Sequence, residues 1–90
     1  MAVLSEREIK DALAGLSGWA LEGAAITKRY AFADFKASMA FVDRVAALAE
    51  AQDHHPDILI QYSKVTLTLS SHDAGGLTRR DFRLAASIDA

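Results

Sequence analysis

The chain's single proline, Pro56, separates two hydrophobic periods, and this break constrains the fold more than any other feature. Before it, residues 35–51 hold neither Gly nor Pro. At about 100° per residue, Phe35, Met39, Val42, Ala46 and Ala49 form one helical stripe, with Phe41, Val45 and Leu48 beside it. After it, Ile58-Leu59-Ile60-Gln61-Tyr62 and the alternation of Val65, Leu67 and Leu69 with Thr66, Thr68 and Ser70 follow strand geometry. Proline disfavours helical geometry in the residue before it, so a helix capped by Asp34 must end by about Asp53 or His54.

The rest of the chain supplies matching elements. Ser5 and Glu8 make a capping-box pattern for a helix over residues 6–14, ended by Gly15 and Gly18. From Trp19 to Phe32, short apolar stretches around Glu22-Gly23 predict two strands joined by a tight turn. Ser63-Lys64 is the expected connection between the third and fourth strands, and Asp73 to Gly76 a loop. Thr78, with Asp81 three residues on, starts a last helix carrying Leu84, Ala85 and Ile88. The order helix-strand-strand-helix-strand-strand-helix predicts an α+β fold: a four-stranded antiparallel sheet with three helices packed on one face.

Ninety residues are enough for one domain, spanning 1–90. Eighteen of the apolar residues are Ala and only seven residues are aromatic, so the core is modest. The apolar arc of the 35–51 helix covers nearly half its circumference. It is either one broad core face or a face shared with a second subunit in a homodimer or homotetramer.

Several function classes are excluded. Without Cys there are no disulfides, thiol nucleophiles or Cys-containing zinc sites. A net charge of −2 with scattered basic residues opposes direct nucleic-acid binding. No apolar run suits a membrane, and the N-terminus lacks a basic region followed by an apolar stretch, so a cytoplasmic location is expected.

All three His lie between positions 54 and 72. If the third and fourth strands pair as a hairpin, His54 and His55 sit just before it and His72 just after it, at the same end of the sheet. Histidine titrates near pH ~6.5, so these rings suit proton transfer at neutral pH. Glu50 and Asp81 are the carboxylates available to orient them. Each residue alone has a plainer role: His54 or His55 as a helix C-terminal cap, His72 as a loop residue, Glu50 as a solvated helix residue and Asp81 as part of the Thr78 capping box. The chemical reading rests on the combination. Neighbouring side chains in extended chain diverge, and no His-x-x-x-His or His-x-His spacing occurs, so no metal site is expected. Gly75-Gly76 lacks the longer phosphate-loop context and reads as a turn.

With these spacings on view, the chain resembles the pterin-4a-carbinolamine dehydratase family. Glu50, His54, His55, Pro56, Tyr62, His72 and Asp81 meet every interval of that family's signature. Lys64 to His72 and Gly76-Leu77-Thr78 with Asp81 agree as well, and the similarity runs from Gly18-Trp19 to Ala86. The resemblance implies removal of water from a 4a-hydroxytetrahydropterin to give quinonoid dihydropterin, in recycling the cofactor of aromatic amino acid hydroxylases. It implies no metal or organic cofactor. It makes His54, His55 and His72 the catalytic set, with His54 and His72 the acid–base pair and His55 mainly positioning substrate. Glu50, Arg80 and Asp81 resemble supporting positions, and Ser70 and Ser71 are placed to hydrogen-bond the pterin edge.

This chain has Ile58 and Leu59 where vertebrate members carry bulky aromatics. Vertebrate members also serve as dimerisation cofactors of a homeodomain transcription factor through the long helix. A non-enzymatic protein-binding module using that helix is therefore the alternative function.

Overall fold

The computed structural model describes residues 3–90. Its elements are α1 (Glu6–Ala14), β1 (Ala20–Glu22), β2 (Ala25–Ala31), α2 (Phe35–Gln52), β3 (Asp57–Gln61), β4 (Lys64–Leu69), a 3₁₀ turn (His72–Ala74) and α3 (Arg79–Asp89). The four strands form one antiparallel sheet in the order β1-β2-β4-β3. The α+β order expected from the sequence is the order observed.

Local chemistry sets the helix ends. Ser5 and Glu8 exchange side-chain and backbone hydrogen bonds in a capping box, as do Thr78 and Asp81. Asp34 accepts the Ala37 N–H at 2.8 Å and so starts α2. Asp53 ends it in the left-handed region, at φ 49°. Its N–H reaches the Glu50 carbonyl and that of His54 reaches Ala49, which is the Schellman arrangement. Pro56 thus excludes further helix, but the reversal itself occurs three residues earlier, at an Asp that tolerates this backbone.

The hairpin differs from expectation by one residue. Gln61 pairs with Lys64, so the connection is Tyr62-Ser63 and not Ser63-Lys64. The reason is backbone geometry: a two-residue turn between twisted strands favours positive φ, and Tyr62 adopts it at 54°. The alternation is unaffected. Val65, Leu67 and Leu69 are fully buried with Ile26, while Thr66 and Thr68 on the opposite face are half-buried. Burying each such Leu or Val side chain contributes about 1.5–3 kcal/mol.

On α2 the buried line is Ser38, Val45 and Ala49, with Phe41, Val42 and Leu48 half-buried beside it. The stripe drawn from the sequence through Phe35 and Ala46 is therefore rotated: Phe35 is 50% exposed and Ala46 lies outside the core. The helix turns toward β2, where the Phe41 ring lies 4.5 Å from Tyr30 and 5.0 Å from Phe32. No helix among the described residues is long and apolar enough to cross a membrane.

A carboxylate closes the other end of the molecule. Asp89, at the end of α3, accepts from Trp19 Nε1 at 2.8 Å, Lys28 Nζ at 3.0 Å and the Tyr30 hydroxyl at 2.6 Å. Burial pushes the Asp89 carboxyl up, but hydrogen bonds from Tyr30, Trp19 and Lys28 outweigh it and hold it below the usual range. Burial, then the bond to Asp89, pushes the Tyr30 phenol up. Because the folded carboxyl is depressed, its stabilisation is complete above its unfolded value near ~3.9 and is lost as pH falls through the folded value. Asp89→Asn is expected to cost about 1–2 kcal/mol at pH 7. Thermal melts of the two proteins should converge below about pH 4; a pH-independent gap would show that the charge is not responsible.

Candidate active site

The site begins where α2 ends. The Schellman turn at Asp53 directs His54 inward, leaving its side chain 7% exposed, with Nε2 2.5 Å from Asp81 Oδ1. Asp81 is wholly buried in the first turn of α3. Its other oxygen, Oδ2, accepts the Ser71 hydroxyl at 2.8 Å and the Thr78 backbone N–H at 2.9 Å.

These contacts fix where the protons lie. An ionised carboxylate only accepts, so His54 donates to it through Nε2–H, and Nδ1 is the position at which the ring can exchange a proton. Ser71 has spent its hydroxyl proton on Asp81, so in the 2.8 Å contact between Ser71 Oγ and Thr78 Oγ1 it is Thr78 that donates. Thr78 Oγ1 in turn accepts the Arg80 N–H at 3.3 Å. The donors therefore converge on Asp81, from Arg80 through Thr78 and Ser71 on one side and from His54 on the other. Such an ordered ring can accept a proton at Nδ1 while Asp81 faces the resulting imidazolium.

His55 turns the other way. It is exposed, and its Nε2 is hydrogen-bonded to Glu50 on the outer face of α2. The divergence of the two rings expected from the sequence is present. Its origin is the left-handed residue at Asp53 together with Pro56.

His72 lies exposed in the 3₁₀ turn, which is closed by paired backbone hydrogen bonds between Ser71 and Gly76. Gly75 takes φ 81° there, a value that a side chain would strain. Arg80 binds Asp73 at 2.7 Å and holds that carboxyl below its ordinary range, which ties the turn to α3. Next to His72 is a pocket of about 310 Å³ lined by Asp57, Thr68, Ser70 and Gly76. Ser70 donates to the Ala24 carbonyl at 2.8 Å, bringing the β1–β2 turn into the pocket wall.

His54, Ser71 and Asp81 thus form one buried cluster, and His72 and Ser70 form one pocket. The two are joined by the Ser71–His72 peptide link. His55 and Glu50 form an exposed couple, and none of His54, His55 and Glu50 lines the pocket. Arg80 faces a different groove, of about 580 Å³, between α1 and α3. That groove is larger, but no histidine or carboxylate lines it, whereas His72 and Asp57 line the smaller pocket. Sequence reasoning missed Asp53, Asp57 and Thr68. The tolerance of Asp for left-handed backbone was a signal for the first; the other two needed the strand register, which pairs them. Among the described residues, no three His, Asp or Glu side chains gather closely enough to hold a metal ion.

Fold and site together define a small α+β protein with a histidine–carboxylate cluster and a neighbouring histidine pocket at one end of its sheet. A family model described as Pterin 4 alpha carbinolamine dehydratase matches residues 2–90. A protein of Chloroflexus aurantiacus, provisionally named pterin-4-alpha-carbinolamine dehydratase, is 54% identical over 99% of this chain and 96% of its own length. A crystal structure described as a transcriptional coactivator/pterin dehydratase from Brucella melitensis superposes with a TM-score of 0.92 at 36% identity, covering 97% of this chain and 95% of that one. A pterin dehydratase-like protein described as a RuBisCO assembly factor in the alpha-carboxysome aligns with a TM-score of 0.64 at 29% identity, over 79% of this chain and 82% of that one. The chain belongs to the pterin 4 alpha carbinolamine dehydratase family.

The buried cluster and the exposed couple should respond differently to loss of charge. Asp81→Asn removes the charge that faces three donors and is expected to cost about 3 kcal/mol, lowering Tm by more than about 10 °C. Glu50→Gln, at the surface, should move Tm by a few degrees at most. Calorimetry showing equal shifts would contradict this placement of the stabilising charge.

Proposed function

We propose that the protein is a hydro-lyase that converts 4a-hydroxytetrahydropterin to quinonoid dihydropterin and water, by proton transfer between substrate and histidine. The observation that carries this reading is the His54–Asp81 couple, which leaves Nδ1 of a buried, oriented ring as a proton acceptor. Dehydration breaks the C4a–O bond as the hydroxyl is protonated. The N5 proton departs, and the electron pair it leaves forms the C4a=N5 double bond. No oxidant, reductant or metal is needed to balance the step.

In this reading the substrate extends from the His72 pocket past the Ser71–His72 link to the buried cluster, where His54 Nδ1 takes the N5 proton and Asp81 stabilises the imidazolium. His72, at the wall of the neighbouring pocket, delivers a proton to the leaving oxygen. His55, held by Glu50, positions substrate. Ser71 and Thr78 keep Asp81 in place, and Arg80 holds the His72 turn through Asp73. The activity would serve recycling of the pterin cofactor used by aromatic amino acid hydroxylases.

Purified protein mixed with chemically generated 4a-hydroxytetrahydropterin should accelerate quinonoid formation at neutral pH, with chelator present. His54→Ala and His72→Ala should each reduce the rate at least tenfold, within the ~10²–10⁴-fold range of acid–base catalysis. Absence of acceleration by the unaltered protein would overturn the assignment. Activity abolished by chelator and restored by zinc would replace it with a metal mechanism.

A second reading, protein binding, is favoured by the descriptions of the two related structures, one a coactivator and the other an assembly factor, and α2 is the surface we assign to it in this chain. The same helix supports self-association as a homodimer or homotetramer, because Phe35 is 50% exposed and Ala40, Ala46, Ala47 and Ala51 are uncovered. Light scattering at micromolar concentration should give twice or four times the 9.7 kDa chain mass. A monomer would remove the self-association and leave α2 to another partner.

A further inference from the structure

Asp57 opens β3 on the sheet face away from the helices, directly across from Thr68, and lines the His72 pocket. The ion pairs of the described residues leave its carboxylate without a cation. Aspartate is disfavoured in strands, so its place on the pocket floor calls for a reason. An edge strand carries charge for solubility alone in many proteins, but that role would not affect ligand binding.

We propose that Asp57 is the substrate-orienting residue of this pocket, its two carboxylate oxygens receiving the paired donors of a 2-amino-4-oxopyrimidine ring. This rests on the pterin reading above and adds the direction in which the substrate lies. The pyrimidine end of a pterin presents N3–H and one hydrogen of the 2-amino group side by side. That donor pair matches a carboxylate as the guanidinium edge of arginine does, in two parallel charge-assisted hydrogen bonds. No other carboxylate lines the pocket.

The register supplies the orientation. Asp57 is level with Thr68, and at about 3.3 Å per residue Ser70 lies roughly 7 Å further along β4, with the His72 turn beyond it. A bicycle gripped at its pyrimidine edge by Asp57 therefore directs its C4a–N5 side toward Ser70 and His72. The reverse placement would put the donor edge beside His72 and the reacting bond beside Asp57, away from the histidines.

The test is fluorescence titration with 7,8-dihydropterin and with its analogue carrying methyl in place of the 2-amino group. The unaltered protein should bind dihydropterin roughly tenfold or more tightly than the analogue. Asp57→Asn and Asp57→Ala should each lose more than that factor for dihydropterin and a smaller one for the analogue, which keeps only N3–H, so that the preference disappears. Both substitutions are at an exposed position, and melting curves matching the unaltered protein would establish that the fold is retained. If the variants keep both affinity and preference, Asp57 does not read the ring and the pterin assignment stands. If the unaltered protein binds neither compound, both readings are overturned.

Discussion

Asp81 is fully buried, and a buried carboxylate is tolerable only where donors replace the water it has lost. Here the donors come from three segments: His54 after α2, Ser71 after β4, and the Thr78 amide that starts α3. One side chain thereby fixes the exit of the long helix, the end of a central strand and the entry of the last helix. The same contacts set the tautomer of His54. Stability and the orientation of His54 are coupled at this carboxylate, since any change that frees it to rotate also frees the ring it holds.

The second organising element is the alternation at the end of β4. Ser71 turns inward to Asp81 and His72 outward to the pocket, because adjacent residues of extended chain face opposite ways. A single peptide link thus joins the buried cluster to the solvent-facing pocket. The 3₁₀ turn and its Ser71–Gly76 bridge hold this junction in place, and Arg80 secures it from α3 through Asp73. The opposite end of the molecule follows the same principle, with Asp89 gathering Trp19, Lys28 and Tyr30.

Much of this was legible in the residues. The alternation of Val65, Leu67 and Leu69, the two capping boxes and the break at Pro56 gave the element order, and the His–Pro spacing carried the family resemblance. The errors have local causes. The hairpin turn moved by one residue because Tyr62 accepts positive φ, which its side chain does not advertise. The stripe on α2 rotated because burial was assigned by hydrophobicity, whereas Ser38, small and bonded to the Asp34 carbonyl, lies in the core and Phe35 remains at the surface. Glu50 and Asp81, both candidates for orienting histidine, proved unlike in setting: one exposed beside His55, the other buried against His54.

The sequence by itself determined the periods, the caps and the gathering of the histidines at one end of a hairpin, because those depend on residues close in the chain. It also determined that no thiol could take part. Only the tertiary structure decided which histidine is buried against which carboxylate, that Ser71 and Thr78 complete its hydrogen bonding, and that Asp57 shares a pocket with His72. Those relations join residues separated by up to 27 positions, and they depend on strand register and helix packing. The break at Pro56 required the chain to turn; the left-handed Asp53 and the buried Asp81 determined where His54 would point once it had.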